Sequence, residues 1–383
     1  MEKTYNILLI TDVNYWKQEI GSHQRVFALI EYLKHNYKLT IAYTKEKIEE
    51  DDKYIELLDH NIIFIENLEE STYNLEEVNS FLSDNPVIEQ FHNKKTVSKT
   101  QTLLNKNNFS HVIVEYIKLS YLLPLLKNYI TILDTHDIMN KRNESFKKNN
   151  QKHWIDISEE QELKILACYD KVICIQKVEH KYLLEKNIKS ICCPHPVKTE
   201  NLLLKSPKNK NIIFIAGFSI ANNTSIKWFI DNVWIFFADI ENLYLNIYGE
   251  VSKALKPYEE KYTNILLHGK IDNLTKAYES ATIAINPVQM GGGLKIKNIE
   301  ALAYGIPLIT TNEGSKGLEK QINSSFLLAN TKDEWIEKIL SLTISENFRE
   351  NLSKNSINYI SKYFNSEICF KDLISYIEKN KKI

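Results

Sequence analysis

Two series of short, largely apolar runs, each alternating with helical stretches, constrain this chain more than any other feature. Residues 5–11 (YNILLIT) are followed by a helical stretch over 23–35 with Val26, Leu29, Ile30 and Leu33 on one stripe, then by 37–43 (YKLTIAY). Further runs lie at 62–65, 111–114, 130–134 and 171–175 (KVICI), the last leading into a helix near Lys177 that holds Tyr182, Leu183 and Leu184. A continuous apolar run suits a strand buried on both faces, and parallel strands joined by helices are buried in that way. The alternation therefore predicts an α/β layered fold with a parallel sheet.

Near residue 194 the pattern breaks. Pro194, Pro196 and Pro207 fall within the polar stretch PHPVKTENLLLKSPKNK, which reads as an interdomain linker, with His195 as a structural or hinge residue. The alternation then restarts at 211–216 (NIIFIA), with a helix from Asn223, and continues through 243–248 (LYLNIY) and 264–267 to a helix from Leu274. It ends with 282–286 (TIAIN), a helix from Leu294, 307–311 (PLITT) and a final helical region over 346–379. The expected division is a first Rossmann-like domain over 1–198 and a linker over 199–210. A second such domain follows over 211–365, and a last helix over 366–383 returns to the first. A chain of 383 residues is long enough for two cores.

Composition excludes several classes. The 48 Lys+Arg balance 49 Asp+Glu, and a dedicated nucleic-acid binder needs a basic excess to grip phosphates. The five cysteines form no CxxC pair, so neither a disulfide framework nor a zinc knuckle is indicated. No apolar run approaches the ~20 residues that span a bilayer, and MEKTYNILLITD lacks a signal-peptide shape. The expectation is a cytoplasmic protein, with peripheral docking on the inner face of the membrane left open; residues 45–110 show no clear basic amphipathic face.

Glycine is scarce: 10 in the chain, where about 7% is usual, and nine of them lie between residues 217 and 317. A chain so poor in glycine keeps one where positive φ or close backbone approach demands it. Gly217, Gly249 and Gly269 follow predicted strands, and strand carboxyl ends line the ligand crevice of an open α/β sheet. The sharpest stretch is Gly291-Gly292-Gly293 followed by LKIKNIEALAYG, a glycine-rich loop feeding a helix that stops at Gly305 before Pro307. Such a loop offers free N–H groups and the positive end of the helix dipole to an anion. Lys297 and Glu300 share one side of this helix, and Ile299, Leu302 and Ala303 lie on the buried side. Amides and a lysine suit a diphosphate, and a carboxylate suits a sugar diol. The bland alternative is an ordinary surface ion pair.

The loop is not a Walker A motif, and the first βα turn, TDVNYWKQEIGSHQR, has no GxGxxG. No DxD pair stands at a strand end; Asp51-Asp52 belongs to an acidic run that reads as a solvated turn. No obligatory metal and no cofactor are expected.

Residues 211–319, through IIFIAGFSIANNTSIKWF, LYLNIYGE and NILLHGKIDNLTKAYESATIAINPVQMGGGLKIKNIEALAYGIPLITTNEGSKGLE, resemble the nucleotide-sugar domain of the retaining GT-B glycosyltransferases, specifically the group 1 (family 4) set. The first half resembles the acceptor domain more weakly, through GSHQRVFALIEYL and EEQELKILACYDKVICIQKVEHKYLLEK. The resemblance implies two facing Rossmann-like domains with the active site in the cleft between them. It implies transfer from a nucleotide-diphosphate-sugar, a UDP-sugar first of all, to a glycan, lipid-linked or protein acceptor with retention of configuration. Glu300 matches the second glutamate of the family's E-x7-E motif, which grips the ribose; the first is replaced by Gly292, a form shared by related branches that carry a lysine at the position of Lys297. Gly217 matches the glycine after the domain's first strand, and the Arg/Lys pair that often follows is missing, so Lys295, Lys297 and the amides of Gly291, Gly292 and Gly293 carry the phosphate charge. Asn223 and Ile271 fall within the matching nucleotide-sugar stretches. Gly21 matches a loop glycine that admits donor phosphate, Arg25 and His23 stand on the following helix, and His136 in DTHD matches a histidine near the donor sugar. The bland reading of DTHD is a helix cap by Asp137, and of Arg25 and His23 a solvated helix face.

Charge develops on the departing phosphate, so donors fixed there supply the main stabilisation. His136 and Lys297 are the catalytic candidates. By resemblance, a donor phosphate oxygen takes the acceptor proton, and domain closure excludes water. Two alternatives stand beside this: a nucleotide-sugar 2-epimerase on the same fold, and a degenerate, non-catalytic sugar-nucleotide-binding partner. The family's usual work suggests bacterial surface polysaccharide or glycoconjugate synthesis.

Overall fold

A computed structural model describes residues 5–199, 210–271 and 273–380. The chain forms two compact units. One comprises Met1–Glu144, Lys152–Pro194 and Phe370–Ile383, and the other Ser145–Gln151 and His195–Cys369. The change of unit falls at Pro194, ahead of the expected 198, and a short piece of the first half, Ser145–Gln151, joins the second unit. Most of the expected linker, residues 200–209, lies outside the described residues.

The first unit carries seven parallel strands: β1 (Asn6–Thr11), β2 (Lys38–Tyr43), β3 (Ile62–Phe64), β4 (His111–Glu115), β5 (Ile130–Asp134), β6 (Lys171–Cys174) and β7 (Ser190–Cys192). Their order is β3-β2-β1-β4-β5-β6-β7. Leu8 and Ile10 of β1 pack into one apolar cluster with Val112 and Val114, while Ile7 and Leu9 pack into another with Ile113 and Ile132. Both faces are covered, which is why apolar residues follow one another along these strands instead of alternating with polar ones. The helix Gly21–Asn36 lays Val26, Leu29 and Leu33 into the second cluster, which also takes Phe370, Leu373 and Ile377 from the last helix, Ser366–Lys379. The final helical region is two helices, broken after Tyr363, and the helices Leu75–Asp84 and Lys94–Lys106 have no counterpart in the sequence reading.

The second unit repeats the grammar with β8 (Lys210–Ile215), β9 (Leu243–Tyr248), β10 (Ile265–Gly269), β11 (Ile283–Asn286), β12 (Leu308–Thr310) and β13 (Leu327–Leu328). All are parallel, in the order β10-β9-β8-β11-β12-β13. In each sheet the chain reverses its direction of winding at one place, between β1 and β4 and between β8 and β11. Ligands of open α/β sheets bind outside the strand carboxyl ends at that point.

Gly249, just beyond β9, has φ +94°, and its N–H donates to the Gly269 carbonyl at 2.6 Å. A Cβ there would stand 2.2 Å from the Ala216 carbonyl oxygen, so β8, β9 and β10 end together only if residue 249 has no side chain. Gly249→Ala should cost about 2–5 kcal/mol, from backbone strain plus overpacking, read as a lower urea midpoint.

Candidate functional site

The switch point of the second sheet gathers most of the predicted residues. β8 leads through Gly217 to Ser219, whose hydroxyl accepts from Asn222 N–H and starts the helix Ile220–Asn232. This helix begins before the predicted Asn223, so that Asn222, not Asn223, faces the neighbouring lysine: Lys297 Nζ donates to Asn222 Oδ1 at 2.7 Å. Lys297 also lies 5.0 Å from the centroid of the Phe214 ring. Burial, reinforced by the charge of Lys295 and opposed by Glu300, lowers the Lys297 pKa to about 7. A desolvated amine beside a second cation gains by meeting an anion.

The loop 291–293 stands before the helix Ile296–Ala303. Gly291 (φ +140°) and Gly293 (φ +52°) adopt backbone that side chains resist, whereas Gly292 has no positive φ, so the loop's shape rests on its outer two glycines. Lys295 stands at the N-cap position of this helix without a side-chain capping bond. Its Nζ donates to the carbonyls of Gly292 at 2.5 Å and Gly293 at 3.0 Å and pairs with Glu313 at 3.5 Å, bracing the loop. Ile299, Leu302 and Ala303 are buried as their spacing predicted, and Lys297 and Glu300 are half-buried on the other side.

What holds the helix in place is a polar seam absent from the sequence reading. Asn298 is fully buried; it donates to the Gly314 carbonyl at 2.8 Å and accepts from Asn286 Nδ2 at 2.8 Å. Thr310 Oγ1 in turn donates to the Asn286 carbonyl at 2.9 Å. Buried amides must be paired, so this seam fixes the helix against the ends of β11 and β12. Ile271 follows β10 beyond Gly269, and Asp272 lies outside the described residues.

In the first unit the structure builds a different cluster, again at the switch point. Gly21 is not in a loop but opens the helix Gly21–Asn36. Arg25 of that helix is not on a solvated face: it is buried, its Nε donates to Asp134 Oδ2 at 2.9 Å, and it donates through Nη1 to the Pro194 carbonyl at 3.0 Å. These bonds hold its guanidinium against Asp134, while Nη2 has no hydrogen-bond partner among the described residues. His23 is partly buried, and desolvation lowers its pKa to about 4.

His136 has φ +59° and stacks on Tyr116, itself at φ +67°, with ring centroids 3.9 Å apart. Its Nε2 lies 2.6 Å from Glu115 Oε2. Asp137 does not cap the next helix, because Arg142 takes it; the first amides of Met139–Lys148 donate instead to the Glu162 carboxylate, at 2.7 Å each from Met139 and Asn140. Glu115 and Asp134 were missed, although each is the last residue of a legible strand, HVIVE and ITILD. Ligand atoms of Glu115, Asp134 and His136 lie within 4.8 Å of one another, the spacing of a metal site, but the Arg25 guanidinium already rests on Asp134 and supplies the positive charge there. Asp51 is not in a solvated turn either: it is buried and paired with Lys17 at 2.7 Å.

Residues 209–344 match the model of the glycosyl transferases group 1 family. A 44.6 kDa protein of the cps region of Klebsiella pneumoniae, uncharacterised, is 22% identical over 368 residues, covering 88% of this chain and 90% of that one. Among solved structures, sucrose-phosphate synthase of Thermosynechococcus elongatus is 16% identical, with 98% of each chain covered and a TM-score of 0.74. S. aureus TarM, solved with Fondaparinux, alpha-GlcNAc-glycerol and UDP, is 11% identical over 98% of this chain and 100% of that one, at 0.71. Anabaena HepE in complex with UDP and glucose is 10% identical over 98% and 100%, at 0.69. The fold is the two-domain, Rossmann-like GT-B fold, and the match to the group 1 glycosyl transferase model lies over residues 209–344. Among the described residues no helix is long and apolar enough to cross a membrane.

Proposed function

We propose that this chain transfers a sugar from a nucleoside-diphosphate-sugar, a UDP-sugar first of all, to a glycan, lipid-linked or protein acceptor, with retention of configuration. The observation that carries this reading is Lys297, a desolvated lysine held by Asn222 on the helix that follows the glycine loop 291–293. Charge grows on the diphosphate as the anomeric bond breaks, and a preorganised amine with loop amides stabilises it without metal. Glu300, one turn along the same helix, takes the ribose hydroxyls. His136 acts on the transferred sugar, and a donor phosphate oxygen receives the acceptor proton. The relative from a cps region supports a place in surface-polysaccharide synthesis, at the cytoplasmic side of the membrane.

The test is a thermal-shift panel of UDP, GDP, ADP, CMP and their sugar conjugates, with and without Mg²⁺. A ligand at 100 times its dissociation constant adds about 2.7 kcal/mol. One diphosphate class should raise Tm, equally with and without Mg²⁺. No shift with any of them would favour a degenerate, non-catalytic protein.

A further inference from the structure

We propose that Glu115 is a positioning residue that keeps Nδ1 of His136 protonated, so that His136 meets its ligand as a hydrogen-bond donor and not as a base. The inference rests on the reading above that His136 acts at the transferred sugar.

The geometry leaves one ring nitrogen for a ligand. Nε2 is taken by Glu115 at 2.6 Å, and Nδ1 makes no hydrogen bond among the described residues. Stacking on Tyr116 fixes the ring plane, so Glu115 selects which nitrogen faces away. The charges decide where the protons sit. Arg25 pairs with Asp134, and among the described residues neither the Oε1 of Glu115 nor the Oδ1 of Asp134 has a hydrogen-bond partner, although both residues are fully buried. Burial, with the Asp134 carboxylate close by, pushes the Glu115 pKa up and so favours a proton held at its short contact with His136. That proton lies on one side or the other of the short contact. On Glu115, the carboxylic O–H donates to Nε2, and the neutral ring carries its own hydrogen on Nδ1. On the ring, imidazolium carries hydrogens on both nitrogens. Either way Nδ1 is an N–H. Only loss of the shared proton would leave Nδ1 bare, and that would place two carboxylate charges beside a single guanidinium in a buried site.

The experiment is nitrogen NMR of the full chain labelled with ¹⁵N-histidine at pH 7.5, with His136 assigned through His136→Asn. The wild-type ring should show a protonated Nδ1. Glu115→Leu should move it to the Nε2–H form with Nδ1 bare, and should lower kcat about 10–100-fold with the donor KM changed less than about threefold. Glu115→Gln, whose amide donates to Nε2, should restore the Nδ1–H form and most of the turnover. A bare Nδ1 in the wild type overturns the proposal, and needs no variant to fold. An unchanged ring in Glu115→Leu overturns it as well, as does broadening of the His136 signals by micromolar Mn²⁺, which would put a cation among Glu115, Asp134 and His136. Full turnover by His136→Ala would instead defeat the role of His136 at the sugar, while the ring's proton state still tests the hold of Glu115.

Discussion

Lys297→Ala should lower kcat/KM for the nucleotide-sugar by about 10²–10³-fold, the usual cost of removing one preorganised donor from a developing charge. The same variant should be no less stable than the parent. In the free protein the amine is desolvated, with its pKa lowered to about 7 against about 10.4 for an exposed lysine, so the unfolded chain binds the proton more readily than the folded one. Removing the group removes that burden, at the expense of one hydrogen bond to Asn222. Lys297→Met should behave alike, and steady-state kinetics beside urea unfolding read both halves of the expectation. Loss of activity together with a large loss of stability would mean that Lys297 is a packing residue.

Donor binding should weaken as pH rises through 7. Below that value Lys297 is already charged in the free protein, and affinity for a nucleotide-sugar is flat, because its diesterified diphosphate does not titrate there. Above it the amine is neutral when free and must take up a proton to pair with the diphosphate. The dissociation constant should therefore rise by up to about tenfold per pH unit until the pKa of the bound state is reached. Calorimetry in buffers of different ionisation enthalpy at pH 8 should report uptake of a proton, and Lys297→Ala should abolish both effects. Stability of the free protein runs the other way over the same window, rising between pH 7 and about 10 because the lysine's folded pKa is depressed.

The sequence by itself determined the layered fold. Strands such as NILLIT are apolar over successive residues because both faces are covered, and that imprint survives in a linear reading. It also determined the glycine loop and the side of the helix Ile296–Ala303 that carries Lys297 and Glu300, since helical spacing is local. Tertiary structure alone decided which partners those side chains take. Lys295 and Lys297 are two residues apart, yet one braces its own loop and the other meets Asn222, 75 residues away. Arg25 reads as a surface residue until β5 brings Asp134, 109 residues on, against it. Glu115 and His136 are joined in the same way by the register of β4 and β5, which sets Glu115 opposite Asp134. Sheet order is set by burial summed over the whole unit, and no local spacing records which strand ends become neighbours.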